Sequence, residues 1–377
     1  MRKILFVFIT LLCSCSSVVT ESISKKITFS PIDIEDSVVE YNDLVDLCEI
    51  IPLENVKKGM LSDVQKVHVT DSSFYIFDDG GIPAVIKFDS RGKYVCNIGA
   101  VGHGKNEYDY INDFTVSEHN GTVVILTEGD IVKVYDMSGK YLYSKVLKVL
   151  AGSKNVYFRK IISVSDGYVC LTDYYGLEDG YLLYFFDKNF ELISRRLKQD
   201  PDMIPNSSFI LNPMRANGNN VYYFDFYKQT INILPFDKSD DCHTIQLYTD
   251  RMVGLDDFKE KRFPAELTNY DCVDAILCLE DKAYLNICIN TYRYALKVDY
   301  NSDVVQAYMG AWLPELETYR KGYLYSVLPP DEFLQYFDEK PIAPSNLLES
   351  IRSKSQHFID DFSEMSNFVI FKMKPNK

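Results

Sequence analysis

The chain has 377 residues, 46% of them hydrophobic and 25% charged, a balance that excludes a wholly disordered protein and leaves enough apolar side chain for a core. The formal net charge of −14 argues against nucleic acid or an anionic membrane surface as partner, because both need a basic footprint. Twenty-eight Tyr and 23 Phe against one Trp, Trp312, point to pleated, half-buried surfaces on which aromatic side chains pack well.

Arg2 and Lys3 precede an apolar run over residues 4–12, followed by small residues and cysteine. This reads as a bacterial secretion signal, too short to span a bilayer as a permanent helix. Leu12-Cys13-Ser14-Cys15 resembles a lipobox, with Leu at −3, Ser at −1, and Cys15 as the residue to be acylated and become the mature N-terminus. Residues 1–14 are expected as a lipoprotein-type signal peptide, 15–40 as a linker and 41–377 as one domain at the cell envelope, in the periplasm or at the outer membrane. A plain cleaved signal is the simpler alternative. Acyl chains on Cys15 hold a domain at a membrane with ~0.8 kcal/mol per buried CH₂, and no other segment is long and apolar enough to span.

Past Cys15 come Cys48, Cys96, Cys170, Cys242, Cys272, Cys278 and Cys288. An odd number leaves at least one unpaired, and most sit in apolar runs where a thiol behaves as a small hydrophobe. No CxxC or Cys/His ligand spacing is present, so a structural zinc site is not expected. Cys278 with Cys288 is a pair that neighbouring strands could bridge.

In chain order, LCEIIPLE near residue 50 is a strand without a partner in its own neighbourhood. A phrase then recurs: an apolar strand, a short polar loop, a strand ending in aromatic-Asp, a turn and a further strand. It reads FYIFDDG then VIKFDSRGKYVCNIG, VVILTEGD then IVKVYDMSGKYLYSKVL, YVCLTDYYG then YLLYFFDKNFELISRRL, VYYFDFYK then TINILPFDKSDDCHTIQL, and AYLNICINTYR then YALKVDYNSDVVQAYM. The Asp opening each turn falls at Asp89, Asp136, Asp187, Asp237 and Asp299, at intervals of 47, 51, 50 and 62 residues. The first two copies carry DxxGK, in which Asp caps the turn and Gly supplies the positive φ; later copies lose the glycine. A preceding apolar stretch in each unit makes about four strands per repeat, the pattern of a β-propeller blade.

Residues 250–267 account for the long interval, and residues 329–365 carry helical periodicity in their Phe, Leu and Ile positions. GYLYSVL and SNFVIFKMK supply two strands of a sixth, incomplete blade, which LCEIIPLE completes. The expected fold is all-β: a six-bladed β-propeller of four-stranded antiparallel blades, the last closed by an N-terminal strand, with small helical insertions.

Between the first two repeats lies GAVGHGKNEY, one residue short of a nucleotide loop, with Asn106 where GxxxxGK[ST] needs a hydroxyl. A phosphate loop opens a helix. The residues after Asn106 alternate as a strand does, so neither nucleotide nor nucleic acid is expected as partner. The same stretch resembles a blade-linking IGxxGxGPxEY motif, matched by Ile98, Gly99, Gly102, Gly104, Glu107 and Tyr108, with Lys105-Asn106 in place of the usual Pro. On this motif and the repeats, the chain resembles the six-bladed propeller lipoproteins of the NHL- and TolB-like superfamily, largely uncharacterised bacterial surface or periplasmic proteins. The resemblance implies the fold and a ligand- or protein-binding role, and carries over no catalytic residues.

In such a blade the connections between second and third strands share one face with the linkers between blades. The candidate binding face is therefore Asp78 and Asp79, Glu128 (with Asp130), Asp173 and Tyr174 (with Tyr175), Asp225 and Tyr227 (with Lys228), and Arg293 (with Asn290 and Tyr292), joined by His103, Lys105 and Glu107 of the linker. Carboxylates interleaved with Tyr around a channel mouth suit a glycan, a basic peptide, an envelope protein or a divalent cation. No cofactor is implied. Each of these residues is also a common turn former. The leading reading is a non-catalytic binding propeller anchored at the envelope. The alternative is a glycan-cleaving hydrolase or lyase at the channel mouth, for which two carboxylates ~5–9.5 Å apart are needed; a structural envelope protein is the third. No GxSxG or HExxH is present, and His68, His103, His119, His243 and His357 share no spacing.

Overall fold

The computed structural model describes residues 23–28, 44–152, 154–172, 180–198, 212–237, 242–252, 271–289, 292–301, 305–309, 316, 318–338 and 345–376. Two strands, β1 (Ile23–Thr28) and β2 (Val45–Pro52), precede the repeats. Blade 1 is β3 (Val64–Val69), β4 (Ser73–Asp78), β5 (Ala84–Asp89) and β6 (Tyr94–Ile98). Blade 2 is β7 (Asp113–Ser117), β8 (Thr122–Thr127), β9 (Ile131–Asp136) and β10 (Tyr141–Val146). A small ribbon, β11 (Leu150–Ala151) with β12 (Lys154–Asn155), lies in the linker to blade 3, which is β13 (Phe158–Val164), β14 (Gly167–Thr172), β15 (Tyr181–Asp187) and β16 (Leu192–Lys198).

Blade 4 is β17 (Met214–Asn217), β18 (Asn220–Asp225), β19 (Thr230–Pro235) and β20 (His243–Tyr248). Blade 5 is β21 (Cys272–Cys278), β22 (Lys282–Ile289), β23 (Tyr292–Asp299) and β24 (Val305–Met309). Blade 6 combines β25 (Thr318–Arg320), β26 (Tyr323–Leu328) and β27 (Val369–Pro375) with β2 as its outermost strand. The four strands of each blade are antiparallel, and in blades 1 to 5 they lie in sequence order across the sheet. The protein is a six-bladed β-propeller.

Ring closure rests on β2, which pairs antiparallel with β27 from Val45↔Pro375 to Pro52↔Val369. Joining the two ends of the repeat region in one sheet leaves neither terminal strand of the ring as an open edge. The expected helices lie between β26 and β27: α1 (Pro330–Leu334) and α2 (Ser345–Ser355). Leu347, Leu348 and Ile351 on one face of α2 pack with Phe333, Phe371 and Ile50, covering the closing blade. Residues 253–270, most of the other expected insertion, lie outside the described residues.

β1 joins the outer edge of blade 4, pairing parallel with β20 from Ile23↔Thr244 to Thr28↔Tyr248. Ile27 is buried in the core shared with blade 5. The Lys26 ammonium stands 3.5 Å above the Tyr248 ring, and Lys25 Nζ donates to the Tyr300 carbonyl at 2.8 Å.

The recurring Asp does in space what its spacing implied. Asp89 Oδ1 accepts the amides of Arg91 and Lys93, Asp136 Oδ1 those of Ser138 and Lys140, and Asp187 Oδ1 those of Asn189 and Glu191. The fourth turn residue has positive φ, +82° at Gly92 and +87° at Gly139. In the third copy the residue at that place is Phe190, at φ +61°. A left-handed Phe is disfavoured by roughly 1–2 kcal/mol, and the offsetting contact is plain: its ring is buried and stacks on Tyr168 at 4.4 Å and 15°.

Two substitutions at this turn control for one another. Phe190→Ala should lose the stack while retaining the unfavourable backbone, and should cost about 3 kcal/mol in urea denaturation. Phe190→Gly should be the more stable of the two, by about 1 kcal/mol, because the backbone strain is relieved. The reverse order would show that the turn is not strained.

Candidate functional site

Second-to-third strand connections and blade linkers emerge together on one face, and they separate the candidate residues by burial. Asp78 ends β4 with 3% exposure, and its Oδ1 accepts the amides of Ser62 and Asp63, each at 2.7 Å. Asp225 ends β18 with 1% exposure and Oδ1 accepting the amides of Tyr227 and Lys228. Tyr227 is buried, edge-on to Phe226. These three are fastened into the turns they define. Asp79, Glu128 and Arg293 are exposed. Burial, reinforced by Asp63 and Asp78, raises the Asp79 carboxyl, and burial alone raises the half-buried Asp130. Asp173, Tyr174, Tyr175 and Asn290 lie outside the described residues, as does Cys15.

The linker GAVGHGKNEY folds onto itself. Glu107 Oε2 accepts the Gly104 amide at 2.9 Å, the Gly102 amide donates to the Tyr108 carbonyl, and the Tyr108 amide donates to that of Ala100. Gly102 has φ +153°, and a Cβ there would meet the Glu107 carboxylate, which would have to leave the Gly104 amide to make room. The amide that a phosphate would need already holds Glu107, and the next element is β7, a strand. His103 and Lys105 project from this loop, His103 Nδ1 standing 2.8 Å from Asp109 Oδ1 with its side chain 93% exposed.

Two aromatic rings that the repeat pattern does not mark complete the face. Tyr110 in the linker to blade 2 is 52% exposed and Tyr157 in the linker to blade 3 is 53% exposed. Both flank the loop from Glu128 to Asp130. The Tyr110 carbonyl accepts the Thr127 hydroxyl at 2.5 Å, and Asn112 Oδ1 accepts the Gly129 amide at 2.8 Å. On the other side the Gly129 carbonyl accepts the Phe158 amide, and a Cβ on Gly129 would lie 3.1 Å from that of Tyr157. Glu128 itself has φ +55° and an exposed carboxylate that makes no hydrogen bond among the described residues. Ile82 in the connection between β4 and β5, Val101 in the linker to blade 2 and Leu150 in the linker to blade 3 are also exposed, at 72%, 45% and 56%.

Beneath this face the axis is closed by cross-blade bonds. Lys66 on β3 donates to Asp113 Oδ2 at 2.8 Å, to the Phe114 carbonyl at 2.8 Å and to the Ile161 carbonyl at 3.1 Å, tying blades 1, 2 and 3. Asn212 Nδ2 donates to the Gln65 carbonyl at 3.1 Å, linking blade 4 to blade 1 across the ring. Burial pushes the Lys66 ammonium down to about 8, against the pull of Asp113. At the opposite mouth Arg320 bridges Asp71 and Glu118, with Nη1 to Glu118 Oε1 at 2.7 Å and Nη2 to Asp71 Oδ1 at 3.0 Å. Lys321 and Arg320 together hold the Asp71 carboxyl below its usual range. Among the described residues no group of three or more His, Cys, Asp or Glu is arranged to hold a metal ion.

A family profile described as a domain of unknown function, DUF4934, matches residues 29–233. The chain belongs to the DUF4934 family. No curated protein matches it. Among solved structures it is similar to a candidate exported protein of Bacteroides fragilis, at 14% identity and TM-score 0.70, covering 94% of this chain and 100% of that one. It is also similar to a DUF4221 family member of Bacteroides vulgatus, at 8% identity and TM-score 0.55, covering 88% and 99%. At these identities the likeness is one of fold.

Between the axial ties sits His68 on β3, its side chain 29% exposed and Nε2 4.0 Å from Glu118 Oε1, that nitrogen making no hydrogen bond among the described residues. Burial, then the cations Lys66, Arg320 and Arg215, push its imidazole down to about 3 from an ordinary 6.5. As pH falls the unfolded chain therefore takes up this proton first, so the group costs nothing above 6.5 and withdraws stability progressively from there towards 3. His68→Gln should flatten the fall in unfolding free energy between pH 6.5 and about 4.5 in urea titrations. Parallel curves for the two proteins would refute the assignment.

Proposed function

We propose that this protein is a non-catalytic binding propeller, exported and lipid-anchored through Cys15, that takes a glycan, a peptide or an envelope protein on its linker face. The observation that carries the reading is the exposed pair Tyr110 and Tyr157, in the linkers on either side of the exposed, backbone-strained Glu128. Exposed apolar patches rimmed by polar groups mark interaction sites, and non-glycine residues held at positive φ cluster at ligand clamps. Two flat rings beside a carboxylate suit the faces of sugar rings or the cationic and apolar side chains of a peptide.

The glycan-cleaving alternative draws less support, because Asp78 and Asp225 commit oxygens to backbone amides. Export is supported by the secretory character of residues 1–14 and by the likeness to a protein itself described as a candidate for export. The lipobox and the resemblance to NHL- and TolB-like lipoproteins support the anchor.

Two experiments test this. The mature domain is screened by thermal shift against glycans, peptides and divalent cations, and the best ligand is titrated by calorimetry. Tyr110→Ala and Tyr157→Ala should each weaken it by roughly tenfold or more, about 1.4 kcal/mol or above, with the melting temperature nearly unchanged because both rings are solvent-facing. Undiminished affinity in the double variant would place binding elsewhere. Separately, Cys15→Ser should move the protein from the membrane fraction to the soluble one, and retention in the membrane fraction would refute the anchor.

A further inference from the structure

We propose that Cys272 and Cys288 are an oxidation site, joining in a cross-strand disulfide when the protein meets an oxidising compartment; the cellular part of this rests on the export reading above. The antiparallel register of β21 and β22 places Cys272 directly opposite Cys288. Directly opposed residues project to the same side of a sheet, with Cα atoms ~4.5–5.5 Å apart. That span falls inside the ~4.4–6.8 Å over which a disulfide closes. The Val273 amide turns away from β22 to Gln229 Oε1 at 3.4 Å. By alternation Cys272 then faces β22, in the wider of the two pair types, at about 5.5 Å, near the commonest disulfide spacing.

Register also rules out a bridge between Cys278 and Cys288. Cys278 stands opposite Ala283, at the far end of the hairpin from Cys288. Both Cys272 and Cys288 are half-buried, within reach of an oxidant, whereas Cys170 and Cys278 are buried and their thiols are pushed up, Cys278 to about 12. A thiol so raised stays protonated and inert.

The chemistry needs a disulfide-bearing oxidant, a protein dithiol oxidase in the envelope or oxidised glutathione in vitro. One cysteine, as thiolate, attacks a sulfur of the oxidant, forming a mixed disulfide and releasing one thiolate, which takes a proton. The second cysteine, as thiolate, attacks the first cysteine's Sγ, closing the Cys272–Cys288 bond and releasing the oxidant's other thiolate, which is protonated in turn. Two electrons pass to the oxidant and the two cysteine protons leave.

The test has two arms. Purified folded protein is incubated with oxidised glutathione, denatured, alkylated without reductant and digested with trypsin, which cuts after Lys282 and separates the two cysteines. A linked pair of peptides about 2 Da lighter than the sum of its reduced halves is expected. Cys278→Ser should retain the link and Cys272→Ser should abolish it. Alkylation of both Cys272 and Cys288 after oxidation, or a link that follows Cys278, would overturn the proposal whatever the protein's cellular address. In the second arm protein is recovered from the cell envelope with thiols trapped at lysis. The link is expected there, and its absence alongside a positive first arm overturns the claim of oxidation in the exported protein while the geometric claim stands.

Discussion

The buried ion pair of Lys66 and Asp113 is the constraint around which the ring is organised. Apolar side chains pack blade on blade, and the Lys66 ammonium adds a directional tie that joins three blades. Lys66, its side chain 8% exposed, gives its three protons to Asp113, to the Phe114 carbonyl on the same strand β7 and to the Ile161 carbonyl on β13, while Asp113, wholly buried, also accepts the Ile161 amide at 2.8 Å. The pair alone is weak support for stability, since desolvation offsets most of the attraction. Its satisfied geometry specifies register, because a sliding blade would strand a charge in the core. Arg320 repeats the device at the other mouth, nearer solvent and correspondingly weaker.

The fold was legible because it is periodic. Asp89, Asp136 and Asp187 could be picked out by spacing, and each caps its own hairpin by the same two amide bonds. Closure by β2 followed from an apolar strand with no local partner. The lost glycine of the third copy was visible too, yet its replacement was not interpretable from sequence, because Tyr168, on which Phe190 stacks, belongs to another strand. β1 was hidden for a similar reason. ISKKIT carries two charges in six residues, and of its residues 25–28 Ile27 alone is buried, so its pairing depends on an edge about 220 residues away in sequence.

The candidate face was less legible than the fold, and burial explains why. Acidic and aromatic residues at strand ends read as a ring of ligands, but Asp78 and Asp225 are where backbone amides need an acceptor and Tyr227 is core. Tyr110 and Tyr157 lie in linkers of unequal length that carry no repeat, so nothing in their spacing distinguishes them from the twenty-six other tyrosines. The axial charges were missed for the opposite reason. Lys66 and Asp113 sit in strands that read as apolar, 47 residues apart, and only the ring brings them together.

Comparing two loops sharpens what Glu128 contributes. Gln229, in the corresponding connection of blade 4, also has positive φ, at +50°. There the side chain accounts for the backbone: Nε2 donates to the Phe226 carbonyl at 2.6 Å and Oε1 accepts the Val273 amide at 3.4 Å, inside a buried site. Glu128 holds the same strained region with its carboxylate in solvent and no such bond. The linkers on both sides fix its backbone through Tyr110, Asn112 and Phe158, so the loop keeps its shape whatever side chain stands there. The fold therefore explains the conformation and leaves the carboxylate unexplained. On the proposed binding reading, a charged group held on a fixed backbone loop, flanked by linkers that each carry an exposed Tyr, would meet a ligand with little ordering left to do.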